Sequence, residues 1–256
     1  MTADAVVVGG GPAGAAVARH LAASGAAVVL VHDDRTPWHR IGQQLSAAAR
    51  PALAALGAWD VVAASARPVH EARSSWATDE VDHRPGILDP NGPPWAVDRA
   101  SFDRELRALA RDAGAKVVRG HVRGLRAHGG AWTVGGLDTG GGPGSVGGPG
   151  SVGGLRTAGG VRAKVVVDAT GTPRALTRRH LDWHRSDHLH CTAWRCDLPD
   201  AGSYSLVEAT ADGWWYTAPT ADGAALTVLR VTAGSSPASP PPRTGDRLRH
   251  RALGPP

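Results

Sequence analysis

Residues 4–34 read DAVVVGGGPAGAAVARHLAASGAAVVLVHDD. Ala5 to Val8 is a continuous β-branched run, the pattern of a strand buried on both faces. Glycines follow, then an alanine-rich helix from about Ala13 to Ala23 that Gly25 ends, and a second buried strand from Ala27 to Val31. The glycines fall as Gly9-x-Gly11-x-x-Gly14, with Pro12 and Ala13 between, directly after a strand and opening a helix. In that setting the first allows a tight turn, the second lets the backbone approach a pyrophosphate, and the third lets helix and strand pack closely. The helix start then offers unpaired N–H groups and a positive dipole to phosphates. A ribose-binding acid belongs about twenty residues on, at the tip of the second strand. His32 stands there, with Asp33 one residue later and Asp34 two. Asp33 is the preferred acceptor; neutral His32 can also accept one such bond.

At 256 residues the chain suffices for one large domain or two modest ones. Its formal charge of +5 is carried almost wholly by arginine, since Lys116 and Lys164 are the only lysines. Arginines and acids are interspersed, without the basic, aromatic-interleaved stripe of a nucleic-acid binder, so no nucleic-acid partner is expected. Two cysteines are too few for a disulfide framework. The longest apolar run, Ala26 to Val31, is far too short for a bilayer and no signal-peptide pattern opens the chain, so no membrane partner and a cytoplasmic location are expected.

Further along, Ser46 and Pro51 suit the start of a short helix before Trp59. Ser101 suits the N-cap of an amphipathic helix whose apolar side is Phe102, Leu106, Leu109 and Ala113 and which Gly114 stops. Lys116–Val118 and Val122–Leu125 read as strands. Half of residues 135–160 are glycine, and they contain GGPGSV twice in tandem, from Gly141 to Val152; such a segment cannot offset its ordering entropy and is expected to be a mobile excursion between hairpin strands at Ala131–Val134 and Val161–Val167. AKVVVDATG is another buried strand. From Leu189 to Val231 several alternating or β-branched runs separated by Gly turns predict an antiparallel sheet.

These stretches carry a resemblance. Residues 6–31 are similar to the FAD-binding opening of the p-hydroxybenzoate-hydroxylase-type flavoproteins, a superfamily that includes flavin monooxygenases, tryptophan halogenases and geranylgeranyl reductases. RIGQQLSAAARPALAALGAWD (40–60) resembles the loop and helix of the halogenase-like branch; SSWATDEVDHRPGILDPNGPPWAVDRASFDRELRALARDAGA (74–115) resembles its tryptophan-rich segment and flavin-contacting helix. VVVDATG (165–171) looks like its second adenosine-side strand, and DGWWYTAP (212–219) like the sheet segment over the flavin. The resemblance covers about Asp4 to Thr232, with the motifs in family order.

It implies an α/β fold: a Rossmann-like FAD-binding domain of residues 1–66 and 98–182, with the glycine-rich insertion 135–160, and an antiparallel β-sheet substrate domain of residues 67–97 and 183–232, followed by a disordered tail, 233–256. It implies FAD as cofactor, with Arg40 near its phosphates, Arg99 on the flavin side, and Val122, Asp168 and Gly171 on the nucleotide side; for the arginines, surface salt bridges are the alternative. NAD(P)H or an external reductase would reduce the flavin, and monooxygenase-type oxidation of an aromatic or apolar small molecule would follow. The IGQQL and GWWYTAP variants also resemble flavoproteins that modify a partner protein during quinone-cofactor maturation. Trp214 and Tyr216 are substrate-side candidates, as an aromatic wall or as sheet packing.

Three departures qualify this. Gln43 stands where the halogenase-like branch has glutamate. The region that holds the halogenases' catalytic lysine, here about Arg67–Asp82, has none, and their W-x-W-x-I-P signature reads Trp214-x-Tyr216-x-Ala218-Pro219, which argues against halogenation. The late Gly-Asp flavin motif has no convincing counterpart, because Gly245-Asp246 sits in a Pro/Arg-rich tail; a truncated, inactive nucleotide-binding protein is therefore an alternative. No metal site is expected: His188, His190 and Cys196 would share a strand face, but the ends lie about 26 Å apart. Cys191 has no evident base partner, and no catalytic acid or base stands out.

Overall fold

The computed structural model describes residues 1–33, 43–76, 80–135, 160–178, 181–182, 184, 189–197, 202–233 and the backbone of 249–252. In chain order the elements begin with β1 (Thr2–Val8), α1 (Pro12–Ala23), β2 (Val28–His32), β3 (Gln44–Leu45), α2 (Ala49–Ala55), α3 (Trp59–Ser65), β4 (Arg67–Pro68), β5 (Glu71–Ser75) and β6 (Asp82–Pro85). A 3₁₀ turn at Gly86–Leu88 leads to β7 (Trp95–Ala96), α4 (Arg99–Asp112), β8 (Lys116–Arg119), β9 (Gly124–His128), β10 (Ala131–Gly135) and β11 (Val161–Asp168). The last strands are β12 (His190–Asp197), β13 (Tyr204–Thr210), β14 (Gly213–Pro219), β15 (Ala225–Thr232) and β16 (Arg249–Ala252). No helix among the described residues is long and apolar enough to cross a membrane.

The chain divides into two compact units. The first, Met1–Arg35 with Asp103–Trp183, holds a six-stranded sheet in the order β8-β2-β1-β11-β10-β9. β1 runs parallel to β2 and β11, and β2 parallel to β8, as a β-branched run with a helical crossover demands. Val6, Val7, Val29, Leu30 and Val31 are fully buried, each contributing about 1.5–3 kcal/mol relative to exposure. The expected hairpin is present: β10 pairs antiparallel with β11 through Trp132–Val134. The repeat-bearing stretch between them lies outside the described residues. One expectation fails in β11. Val161 and Ala163 are buried, but Val165 is 52% exposed, because the C-terminal half of β11 pairs with β1 alone among the described residues.

The second unit, Thr36–Phe102 with His184–Pro256, holds a seven-stranded sheet in the order β16-β12-β15-β14-β13-β5-β6. β12 to β15 form the expected antiparallel sheet. β5 joins it parallel to β13. Residues 43–66 and 98–102, assigned from sequence to the first domain, cluster here instead. Their anchor is a small sheet in which β7 pairs with both β3 and β4, and in which Trp59 packs edge-on to Trp95 at 5.2 Å. The tail needs a correction too: within 233–256, β16 pairs with β12, since backbone pairing along a sheet edge requires no apolar pattern.

Two helix starts differ from expectation. α2 begins after Ala48, and Ser46 contributes only its carbonyl, to Ala49 N–H. α4 begins at Arg99, capped by Asp98, whose carboxylate accepts from Ser101 N–H at 2.9 Å. An acidic cap outcompetes Ser101 because the carboxylate also meets the helix dipole. The buried stripe of α4 is Phe102, Leu106 and Ala110 together with Asp103, with Leu109 and Ala113 only half-buried. Gly114, at φ +101, ends it as expected.

Candidate functional site

The ends of three parallel strands meet at the glycine turn of the first unit. Gly9 N–H donates to Val31 O at 2.8 Å, and Ala169 N–H donates to Val8 O at 2.8 Å. This brings the tips of β1, β2 and β11 to one edge. Gly9 has φ +116, a region that favours glycine, and any Cβ there would strike the Ala169 carbonyl. A Cβ on Gly14 would strike the Gly9 carbonyl, and one on Gly10 would strike the Cβ of His32. Gly11 differs. Its backbone is ordinary, at φ −76, and no atom lies within 4 Å of the place its Cβ would occupy. Three of these glycines are required by the packing of the protein on itself; the fourth borders open space.

That space faces the start of α1. Gly11 is its N-cap and carries no side chain to cap it, Pro12 opens the helix, and the first turn holds no acid. The N–H groups of Ala13 and Gly14 precede the first intrahelical bond, which Ala15 donates to Gly11 O at 3.0 Å. The arrangement offers what an anion needs at a helix start: donors, dipole and room.

His32 ends β2 beside Gly10, and its carbonyl accepts from Gly120 N–H at 2.7 Å. Asp33 follows, exposed. Val122 lies outside the strand expected of it, in the loop between β8 and β9, partly buried against the core. Asp168 has a role the sequence did not disclose. Its carboxylate accepts from Thr170 N–H and Oγ1, Leu176 N–H, and Thr177 N–H and Oγ1, at 2.6 to 3.1 Å. Burial opposes its charge, but the bonds from Thr170 and Thr177 outweigh that and hold the carboxyl below its ordinary value. Asp168 thus organises the loop that carries Gly171, at φ +73. Arg107 of α4 was also missed: its Nη1 donates to Gly10 O at 3.0 Å. No spacing rule singles it out, since it flanks an apolar stripe as many helix arginines do.

In the second unit, Arg99 Nη1 donates to Gln43 Oε1 at 2.6 Å, and Val97 N–H donates to Gln43 O at 3.0 Å. Arg99 therefore meets a neutral acceptor in Gln43. Arg40 lies outside the described residues, as does His188, and no cluster of metal-binding side chains occurs among those described. Burial pushes the thiols of Cys191 and Cys196 up, which lowers the thiolate fraction of each. Trp214 and Tyr216 share one face of β14, opposite Val231 and Leu229 of β15. Trp214 is 37% exposed, whereas Tyr216 is largely buried and burial alone pushes its phenol up to about 12. Trp215, on the other face, belongs to the core: its ring centroid lies 5.6 Å from that of Trp194, and Cys196, Leu226 and Val228 complete the cluster.

No protein-family model matches the chain. It is 32% identical to the flavin-dependent halogenase armH4 of Armillaria mellea over 127 residues, 46% of this chain and 24% of that protein. Its fold matches the myxobacterial chondrochloren halogenase CndH, an FAD-dependent halogenase variant, with a TM-score of 0.70 at 22% identity, over 91% of this chain and 53% of that one. The chain therefore has the fold of FAD-dependent halogenase-like flavoproteins and is similar in sequence to one of them over part of its length. Another protein of this fold is QhpG, a peptidyl tryptophan dihydroxylase essential for tryptophylquinone cofactor biogenesis (TM-score 0.59, 23% identity, 94% of this chain and 48% of that one). The chain spans about half the length of these solved flavoproteins, and its aligned part about a quarter of the halogenase armH4. The turn, the β2 tip and the loop after β11 adjoin along one edge of the first unit.

Proposed function

We propose that this chain binds FAD at the β1–α1 turn and serves an FAD-dependent, monooxygenase-type oxidation of an aromatic or apolar small molecule. The observation that carries the reading is the open position at Gly11, beside a helix start with neither cap nor acid. The amides of Ala13 and Gly14 hold the pyrophosphate, Asp33 or His32 accepts from the ribose, and Val122 and Gly171 border the adenosine side. Asp168 positions that last loop rather than touching the nucleotide. Bound FAD supplies redox chemistry at its isoalloxazine ring, with NAD(P)H or a separate reductase as the source of electrons. Arg99, fixed by Gln43, offers a permanent cation to the flavin side, and Trp214 with Tyr216 offers an aromatic surface to the substrate.

Oxygenation is favoured over halogenation because the stretch that by resemblance corresponds to the halogenases' lysine region, about Arg67–Asp82, holds no lysine. A second reading, oxidation of a side chain in a partner protein, is supported by the likeness to QhpG over nearly the whole chain. The test is the visible absorption of the purified protein before and after incubation with excess FAD. Oxidised-flavin bands that survive gel filtration support the proposal. A protein that never retains flavin overturns it and favours an inactive nucleotide-fold fragment.

A further inference from the structure

We infer that Arg107 is a positioning residue for the glycine turn: by holding the Gly10 carbonyl it aims the Gly11 N–H at the bound pyrophosphate. The inference rests on the flavin reading above, and on three observations within the first unit. Arg107 Nη1 donates to Gly10 O at 3.0 Å, from a helix 97 residues away in sequence. Its aliphatic part lies against the same glycine, with Cδ 2.9 Å from where a Gly10 Cβ would be. The side-chain position of the next residue, Gly11, borders open space.

The Gly10 carbonyl and the Gly11 N–H belong to one planar trans peptide and point in opposite directions. Fixing the oxygen toward Arg107 therefore fixes the N–H away from it. Glycines on both sides of that peptide leave it free to rotate at little steric cost, so the turn needs an outside restraint. A flipped peptide would aim a carbonyl dipole at the phosphates and oppose binding. Arginine suits the task because its charge is permanent and its planar fork keeps direction. Its cation also adds attraction for a pyrophosphate nearby. The Cβ of His32 crowds the same side-chain position of Gly10, so a strand tip and a helix both pack on this glycine.

The test compares wild type with Arg107→Met, Arg107→Lys and, as a charge control, Arg104→Met, whose side chain is exposed on the same helix. Backbone ¹⁵N order parameters at Gly10 and Gly11 are measured without cofactor, and binding of FAD and of inorganic pyrophosphate is titrated on the same samples. Arg107→Met is expected to lower the order parameters from a rigid value of about 0.85 to below about 0.6. It should weaken both ligands about tenfold, the effect of one charged hydrogen bond. Arg107→Lys should recover part of each loss, and Arg104→Met should change neither. A turn that stays rigid in Arg107→Met, or affinities that do not move while wild type retains FAD, overturns the inference and leaves the flavin reading standing. A wild type that binds neither FAD nor pyrophosphate overturns both, whatever the order parameters show.

Discussion

Asp168 and Thr177 are joined twice: the carboxylate accepts from the Thr177 N–H at 2.9 Å and from its hydroxyl at 2.8 Å. With Thr170 bound to the same group, the loop after β11 is wound about a single charge. Asp168→Asn replaces one of the two acceptor oxygens with a donor and weakens several bonds at once. Because the group is only partly buried, the expected loss is about 1–3 kcal/mol, read as a lower denaturant midpoint. The pH dependence follows. The folded-state value lies below the unfolded one of about 3.9. The group's stabilisation is therefore full above the unfolded value and disappears as pH falls through the folded one. Asp168→Asn should remove that part of the acid destabilisation. An unchanged acid limb would exclude Asp168 as its source.

The turn separates fold from ligand. Gly14→Ala puts a methyl group into the Gly9 carbonyl and should cost about 1–3 kcal/mol by overpacking. Gly11→Ala meets no atom and has an acceptable backbone, so stability should stay within about 0.5 kcal/mol of wild type. Under the proposed function, however, Gly11→Ala should retain FAD at least about tenfold more weakly, since its methyl occupies the space the pyrophosphate needs. Thermal melts and flavin retention on the same two variants check both halves. Undiminished retention in Gly11→Ala would place the phosphates elsewhere.

How far the sequence disclosed this follows from what each feature depends on. The opening βαβ unit was legible because its glycines and valines act on their immediate neighbours. The sheet from β12 to β15 was legible because alternation and Gly turns are local too. The allocation of residues 43–66 was not, since it is decided by a two-strand contact between Gln44–Leu45 and Trp95–Ala96, fifty residues apart. Gly10 was read as the free position of the motif, yet His32 forces it to be glycine. Asp168 was placed on the nucleotide side by the resemblance alone; its five donors come from turns that no periodicity announces. The exposure of Val165 likewise depends on which strand lies beside it, which composition does not encode.

Neighbouring tryptophans on β14 should behave oppositely. Trp215 is 5% exposed and packed on Trp194, so Trp215→Ala should cost about 3–5 kcal/mol. Trp214, on the other face, should cost less than about 1.5 kcal/mol on the same change. Under the proposed function the order reverses for substrate: Trp214→Ala should raise KM for an aromatic substrate while leaving the fold intact. Equal destabilisation by both would show that the Trp214 face is as tightly packed as the core.

Tyr216 offers the sharpest titration. Its phenol is pushed up to about 12 by burial, with no hydrogen bond from a described residue to its oxygen to favour the anion. Between the unfolded value of about 10 and the folded one near 12, the folded state holds a proton that the unfolded state has lost. Stability attributable to Tyr216 is therefore constant below pH 10 and falls as pH rises through that window. Tyr216→Phe removes a half-buried hydroxyl to which no described residue bonds, so it should be close to neutral near pH 7 and should flatten the alkaline limb. Denaturant unfolding between pH 8 and about 11 on both proteins measures this. A large destabilisation by Tyr216→Phe at neutral pH would mean that the hydroxyl already has a partner, and that the aromatic face is bonded to the rest of the fold rather than left available to a substrate.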